Sequence, residues 1–168
     1  TYVTKYKSKL VGWPIISLEH LDKNLNKTKS VILEFGSKKD KRNLEHIIHL
    51  NNTLYVLSNS VDKVDKKNFL FVESINKNTL QSNNDLKKIS EINFQGKKKW
   101  NNGDFNYAIS RDSSKILIYN SLPYEKHENA KFSLLVLDNN LREIWKKDIT
   151  LPYADDLFKL EDYKVSNK

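Results

Sequence analysis

The chain has 168 residues, of which 38% are hydrophobic and 11% aromatic, so it can bury the core of a folded domain and is not a disordered tail. It contains no cysteine, which excludes disulfide bonds, cysteine metal sites and thiol nucleophiles. The formal net charge of +8 is uneven, because residues 1–100 carry 19 Lys and Arg against 10 Asp and Glu, whereas residues 101–168 carry 10 against 11.

The hydrophobic pattern predicts an almost all-β chain. Short runs of β-branched and aromatic residues alternate with Asn, Asp and Ser, and no stretch keeps apolar residues at helical spacing for three turns. No apolar run approaches the ~20 residues that a membrane-spanning helix needs. The predicted strands, in chain order, are 2–7, 15–21, 30–35, 44–50, 54–59, 69–75, 86–92, 105–110, 116–120, 132–137, 144–151 and one that begins at Tyr163.

The predicted turns repeat along the chain. LDKNL at 21–25, INKNTL at 75–80 and LDNNL at 137–141 each join two strands, and the leading Asp or Asn can cap the turn. HLNNTLYVL at 49–57 and SRDSSKILIY at 110–119 share the pattern of a strand, a polar tip and a second strand. These repeats predict a unit of four antiparallel strands.

A repeated four-stranded unit of this length is typical of a β-propeller blade. The predicted organisation is one domain, with a partial blade at 1–36, blades at 43–94 and 104–151, and the start of a further blade at 160–168. We expect the chain to be part of a larger propeller, since it lacks methionine and the last unit is incomplete. Strands such as FSLLVL are apolar at both odd and even positions, which point to opposite faces of a sheet. This pattern favours sheets that are covered on both faces. A β-sandwich is the alternative fold.

One tip resembles a known repeat. SRDSSKI at 110–116 is similar to the S-P-D-G-K-x-I tip of the β-propeller repeats of TolB-like exported proteins, with Arg111 in place of the proline and Ser113 in place of the glycine. The resemblance implies the propeller fold and an exported protein, periplasmic or on the cell surface. It carries no specific activity, because such propellers serve many functions.

The long connections between strands are rich in lysine. In a meander of four strands, the second strand is joined to the third at one end of the sheet. The connection to the next four-stranded unit lies at that same end. The lysine-rich connections are therefore predicted to form one basic face. Its residues are Lys38, Lys39, Lys41, Arg42, Lys63, Lys66, Lys67, Lys97, Lys98 and Lys99. Such a face would attract an acidic protein, an anionic glycan or a lipid surface. The alternative is that these lysines only maintain solubility and protect strand edges.

Three aromatic residues near the same connections are candidate ligand contacts. Tyr124 and Tyr153 each follow a Leu-Pro pair, and Trp100 flanks a lysine run. Each ring could stack on a ligand or hydrogen-bond to it, or the tyrosines could fold back as lids over the strand ends. Trp145 lies inside a predicted strand, where we expect it to be a core residue.

No catalytic or metal-binding motif is present. His46 and His49 would point to opposite faces of a strand, and the acidic group Asp155, Asp156, Glu161 and Asp162 matches no calcium-loop spacing. The chain also lacks a nucleophile elbow, a P-loop and a dinucleotide fingerprint. We therefore expect no cofactor and no metal, and we interpret the chain as a non-catalytic binding scaffold. The alternative is a propeller enzyme acting on glycans or peptides near the propeller axis.

Nucleic acid is not the expected partner. The chain has only three arginines, Arg42, Arg111 and Arg142, whereas base recognition depends on the bidentate guanidinium group.

Overall fold

The computed structural model describes residues 1–7, 15–36, 41–94, 103–122, 129–154 and 163–167. All regular structure in these ranges is β-strand, which confirms the predicted all-β class. The eleven strands form three antiparallel sheets, and within each sheet every strand pairs with its neighbours in the chain. None of the described residues forms a helix with the length and apolarity that crossing a bilayer requires.

Each sheet is a meander. The first sheet comprises β1 (Tyr2–Lys7), β2 (Ile15–Leu21) and β3 (Lys27–Ile32). The second sheet comprises β4 (Asn43–Leu50), β5 (Thr53–Asp62), β6 (Lys67–Ile75) and β7 (Lys87–Asn93). The third sheet comprises β8 (Asn106–Ile109), β9 (Lys115–Ser121), β10 (Asn129–Asp138) and β11 (Glu143–Ala154).

Two strand predictions were wrong. The third strand lies at Lys27–Ile32 instead of 30–35, because a tight turn brings Lys27 opposite Leu21 and pairing starts at once. The segment from Tyr163 is not a strand in the described residues and belongs to none of the three sheets. In both cases the position of a neighbouring strand, rather than local composition, decides the outcome.

A similar capped turn occurs once in each sheet, with one more residue between the capping residue and the leucine in the second sheet. Asp22, Asn76 and Asp138 each accept backbone hydrogen bonds on Oδ1, for example from Asn140 N at 2.8 Å and Arg142 N at 2.9 Å in the third sheet. Each turn ends on a leucine with a left-handed backbone, and the three φ angles are 63° at Leu25, 60° at Leu80 and 60° at Leu141. A branched side chain at φ > 0 is uncommon, so its position has to be stabilised by other contacts.

The first hairpins of the second and third sheets differ in length. Asn51 and Asn52 both have positive φ, 43° and 58°, as the two-residue hairpin between β4 and β5 requires. The hairpin between β8 and β9 has five connecting residues, 110–114, and there Ser113 takes the left-handed conformation with φ of 58°. Asp112 Oδ1 accepts the Ser114 N–H at 3.0 Å in this turn.

The sheets stack face to face through apolar clusters. The first and second sheets share a cluster that contains Leu18 from β2 and Val56 from β5. The second and third sheets share a larger cluster, which includes Leu57 of β5 and Ile118 of β9. The second sheet is therefore covered on both faces, as the apolar runs at both parities predict.

The far face of the third sheet is covered by the segment 163–167, which contributes Tyr163 and Val165 to a cluster with Leu117, Tyr119 and Val136. Trp145 lies on β11 beside this face and is 44% exposed, so the expectation that it belongs to the core was wrong. Most of β11 is exposed, because it is the outermost strand of its sheet and has a partner on one side only.

Candidate functional site

The short turns of the three sheets gather at one end of the stack, which we call the turn end (turns 22–26, 51–52, 76–86, 111–114 and 139–142). Contacts join neighbouring sheets there: Asn51 Nδ2 lies 3.4 Å from Asn140 Oδ1, and Lys29 Nζ donates to Asn78 O. Within the second sheet, Lys77 Nζ donates to Asn52 Oδ1 at 2.6 Å.

The long connections begin and end at the opposite end of the stack, which we call the connection end (residues 41–42, 62–67 and 94). Ser60 Oγ donates to Lys41 O at 3.4 Å, which places Lys41 beside the end of β5. Phe94 N donates to Lys66 O at 2.9 Å, so the chain leaving β7 passes the 62–67 turn. The meander thus brings together the described parts of three lysine-bearing connections.

Five of the ten predicted basic-face residues can be located. Lys41, Lys63 and Lys66 are exposed at the connection end. Lys67 Nζ forms an ion pair with Glu91 at 3.0 Å, and its side chain is 35% exposed. Lys38, Lys39, Lys97, Lys98 and Lys99 lie outside the described residues.

Arg42 is used inside the protein. Its Nη1 lies 3.1 Å from Glu73 Oε1 and donates to Ser58 Oγ at 2.9 Å, and its side chain is only 11% exposed. The guanidinium also lies 5.9 Å from the centroid of the Phe71 ring. Arg42 therefore joins the start of β4 to β5 and β6 and contributes little to an exposed basic surface.

The charge of the 62–67 turn is partly balanced. Asp62 Oδ1 accepts the backbone N–H groups of Val64 at 2.8 Å and Asp65 at 3.0 Å, so an acidic side chain shapes the turn that presents Lys63 and Lys66. The positive charge exposed in this turn therefore comes from individual lysines that have aspartates next to them in the chain.

Of the three candidate ligand aromatics, only Tyr153 is described. It lies near the end of β11 and is 59% exposed, so it does not close over a strand end as a lid. Tyr124 and Trp100 lie outside the described residues. The acidic group at 155–162 lies outside them as well.

A cluster that the sequence analysis missed lies where β4 meets β8. The rings of His46 and Tyr107 have centroids 4.3 Å apart. Asp104 is close enough to affect the titration of Glu45, and Glu45 and Tyr6 are close enough to affect that of Tyr107. These residues are brought together only by the stacking of the sheets, since Tyr6 lies on β1, His46 on β4 and Tyr107 on β8. The available signal was that His46 and Tyr107 belong to the first strands of consecutive four-stranded units.

Burial dominates the electrostatics of this cluster. It raises the pKa of the Glu45 carboxyl, and the neighbouring Asp104 carboxylate raises it further. Burial also raises the pKa of Tyr107 to about 12, with the charges of Glu45 and Tyr6 adding to the effect. Burial lowers the pKa of His46. Neutral forms are thus favoured, and such groups can donate and accept hydrogen bonds or exchange a proton.

The described ranges contain no group of three His, Cys, Asp or Glu side chains that could hold a metal ion. His46 and His49 lie on one strand but contact different neighbours, Tyr107 and Lys77 respectively, in keeping with their opposite faces.

No protein-family model matches this chain, and no curated protein or solved structure matches it either.

Proposed function

We propose that the three sheets are consecutive blades of a β-propeller. Three features support this: each sheet is a meander, the sheets stack in chain order, and the same capped turn recurs at the same place in each. A β-sandwich has two facing layers, whereas here the second sheet has another sheet on each face. An experimental structure in which successive sheets rotate about a common axis would support the propeller, and two sheets enclosing a single core would contradict it.

We propose further that the chain is a non-catalytic binding scaffold whose connection end contacts an acidic partner. The observation that carries this proposal is that two connections, one with Lys41 and the other with Lys63 and Lys66, end at the same side of the second sheet with all three lysines exposed. Clustered charges of one sign raise the local potential and the rate of encounter with an oppositely charged surface.

The ion pair of Arg42 determines which kind of cation is exposed at the connection end. Its guanidinium is held in the ion pair with Glu73, so the exposed cations are ammonium groups, which act as point charges and not as bidentate forks. The suitable partner is therefore a diffuse anionic surface, such as an acidic protein, a sulfated glycan or anionic lipid head groups. A sequence-specific nucleic-acid site is not favoured.

The test is a charge reversal with a matched control. Lys63→Glu with Lys66→Glu changes the connection end, and Lys23→Glu with Arg111→Glu makes the same change in charge at exposed positions of the turn end. Binding of each full chain to heparin, polyglutamate and phosphatidylserine vesicles is measured at low and physiological ionic strength.

We expect the connection-end variant to lose about tenfold or more in affinity for at least one probe, and the turn-end variant to keep its affinity. Equal losses in both variants would mean that total charge, and not this end, attracts the probe. No binding by the unaltered chain to any of the three probes would also overturn the proposal.

The second candidate is an enzyme, and the cluster around Glu45 favours it. Glu45 is a half-buried carboxyl whose pKa is raised, and the neighbouring His46 is an exposed imidazole whose pKa is lowered; shifted pKa values in adjacent groups are common in general acid and base sites. Hydrolysis of a panel of glycan and peptide substrates by the chain, abolished in Glu45→Gln but retained in Glu91→Gln, would select this candidate over the scaffold.

A further inference from the structure

The apolar packing between the first and second sheets is incomplete at one place. A cavity of about 160 Å³ lies there, beside β3 and the connection between β6 and β7. Its apolar walls come from the cluster that joins the two sheets, and they are Val31, Leu33, Phe35, Val56, Ile75 and Leu80. Protein cores contain few voids larger than a water molecule, so a cavity of this size is a place that a small ligand can fill.

One wall of the cavity carries a buried carboxylate. Glu73 of β6 lines the cavity and is only 8% exposed. Its Oε1 lies 3.1 Å from Arg42 Nη1, and its Oε2 accepts a hydrogen bond from Ser82 Oγ at 2.5 Å. A carboxylate offers about four acceptor positions, so these two described donors leave capacity for a further donor.

The ionisable groups on the cavity wall are acidic. Arg42 is not among the lining residues, and its Nη1 is shared between Glu73 and Ser58. The second ionisable lining residue is Glu34, which is exposed and therefore lies on the solvent side. Among the described residues, no lysine or arginine lines the cavity, although the whole chain has a net charge of +8. The complementary ligand therefore combines a positive charge with an apolar body.

The connection that forms one wall is held in place by its own hydrogen bonds. Ser74 of β6 donates its backbone N–H and its hydroxyl to Asp85 at 2.7 and 2.6 Å, and Asn83 N donates to Ser74 O at 3.0 Å. Leu80, in the same connection, is fully buried. Strands and an anchored connection thus bound the cavity, as in ligand sites that are formed before the ligand binds.

We propose that this cavity binds a primary ammonium group carried on a small apolar body. The ammonium donates to the Glu73 carboxylate, and Glu34 adds attraction from the solvent side. The body fills the space between the two sheets, where a cavity of about 150 Å³ holds a benzene-sized molecule. A free amine and the lysine side chain of a partner protein share this chemistry. The site does not involve the exposed lysines of the connection end.

The test is an NMR titration of the isotope-labelled full chain with four probes. Benzylamine has both the charge and the apolar body, benzyl alcohol has the body alone, and methylammonium has the charge alone. N-acetyl-lysine methylamide presents a lysine side chain. The backbone amides of Leu33 and Leu80 report on the cavity, and that of Val64, which does not line it, is the internal control.

We expect benzylamine or the lysine derivative to shift the cavity amides and to bind about tenfold or more tightly than benzyl alcohol and methylammonium. Binding of benzylamine identifies a free amine as a sufficient ligand, and binding of the lysine derivative alone identifies a protein side chain. Absence of cavity shifts with both of these probes would overturn the proposal. So would an affinity for benzyl alcohol that equals that for benzylamine.

Matched variants assign the charge and the space. Glu34→Gln removes a carboxylate from the cavity wall, and Glu91→Gln makes the same change at a residue that does not line the cavity. We expect Glu34→Gln to weaken binding about threefold and Glu91→Gln to leave it unchanged. Val31→Phe, made at a half-buried wall position, should fill the cavity and abolish binding while circular dichroism shows the native fold. Unchanged affinity in both Glu34→Gln and a folded Val31→Phe would contradict this site.

Discussion

The leucine that ends the repeated turn shows how one residue can be strained for the benefit of packing. A left-handed backbone costs a branched L-residue about 1–2 kcal/mol. Burying a leucine side chain stabilises the fold by about 1.5–3 kcal/mol, so burial outweighs the strain at Leu80 and Leu141. At Leu25, which is 69% exposed, the strain remains without that compensation.

Glycine substitutions should separate these two effects. We expect Leu25→Gly to raise the free energy of unfolding by up to about 1 kcal/mol, because glycine accepts φ > 0 and little burial is lost. Leu141→Gly should lower it by about 2 kcal/mol or more, because the cavity cost exceeds the relief of strain. Urea denaturation measures both changes, and a loss of stability in Leu25→Gly would contradict the argument.

The stability that an ion pair between or within strands contributes depends on how deeply its two side chains are buried. Arg42 and Glu73 join the start of β4 to the middle of β6 with side chains 11% and 10% exposed. Glu73 also accepts a hydrogen bond from Ser82 Oγ at 2.5 Å, so the carboxylate organises the connection to β7. Lys88 and Glu91, both on β7, are 50% and 30% exposed and are largely screened by water.

Removing the cation from the buried pair should be costly. We expect Arg42→Met to lower the free energy of unfolding by about 3 kcal/mol, since the Glu73 carboxylate is left buried and unpaired. Combining Glu73→Gln with Arg42→Met should recover part of the lost free energy of unfolding, because the unpaired carboxylate is removed. Lys88→Met should cost under about 1 kcal/mol. Equal costs for Arg42→Met and Lys88→Met in urea titrations would show that the Arg42 pair is not effectively buried.

At the scale of the whole molecule, the junction between the second and third sheets should make stability depend on pH. Burial lowers the pKa of His46 below the 6.5 of the unfolded chain, so its contribution is fully present above 6.5 and is lost as the pH falls through the lowered pKa. The pKa of Glu45 is raised above 4.5, so its contribution is present below 4.5 and is lost as the pH rises through the raised pKa.

The stability contributions of His46 and Glu45 change with pH in opposite directions, and single substitutions can show this. Relative to the unaltered chain, His46→Gln should gain stability as the pH falls below about 6.5, because the variant has no imidazole to protonate. Glu45→Gln should gain relative stability as the pH rises above about 4.5. Thermal unfolding of both variants across this range measures the two trends, and parallel pH profiles for all three proteins would contradict the burial of this junction.

Local patterns were sufficient to predict most of the strands and the capped turns, because hairpins join neighbouring segments and Asp22, Asn76 and Asp138 act on residues within their own turns. Features that depend on distant segments were missed. Arg42 was placed on the basic face because nothing in its own segment reveals Glu73. Trp145 was placed in the core because a strand pattern does not show which face lacks a neighbouring sheet.

The pairing order of the strands also affects how the chain can form during synthesis. Every paired strand has its partner immediately before or after it in the chain, so the strand pairs within each sheet can form once its own residues have emerged. Only the apolar side chains must wait, because Leu18 needs the second sheet and Leu57 needs the third. Each newly synthesised sheet therefore covers the solvent-exposed apolar face of the sheet before it. The growing polypeptide exposes about one such face at a time.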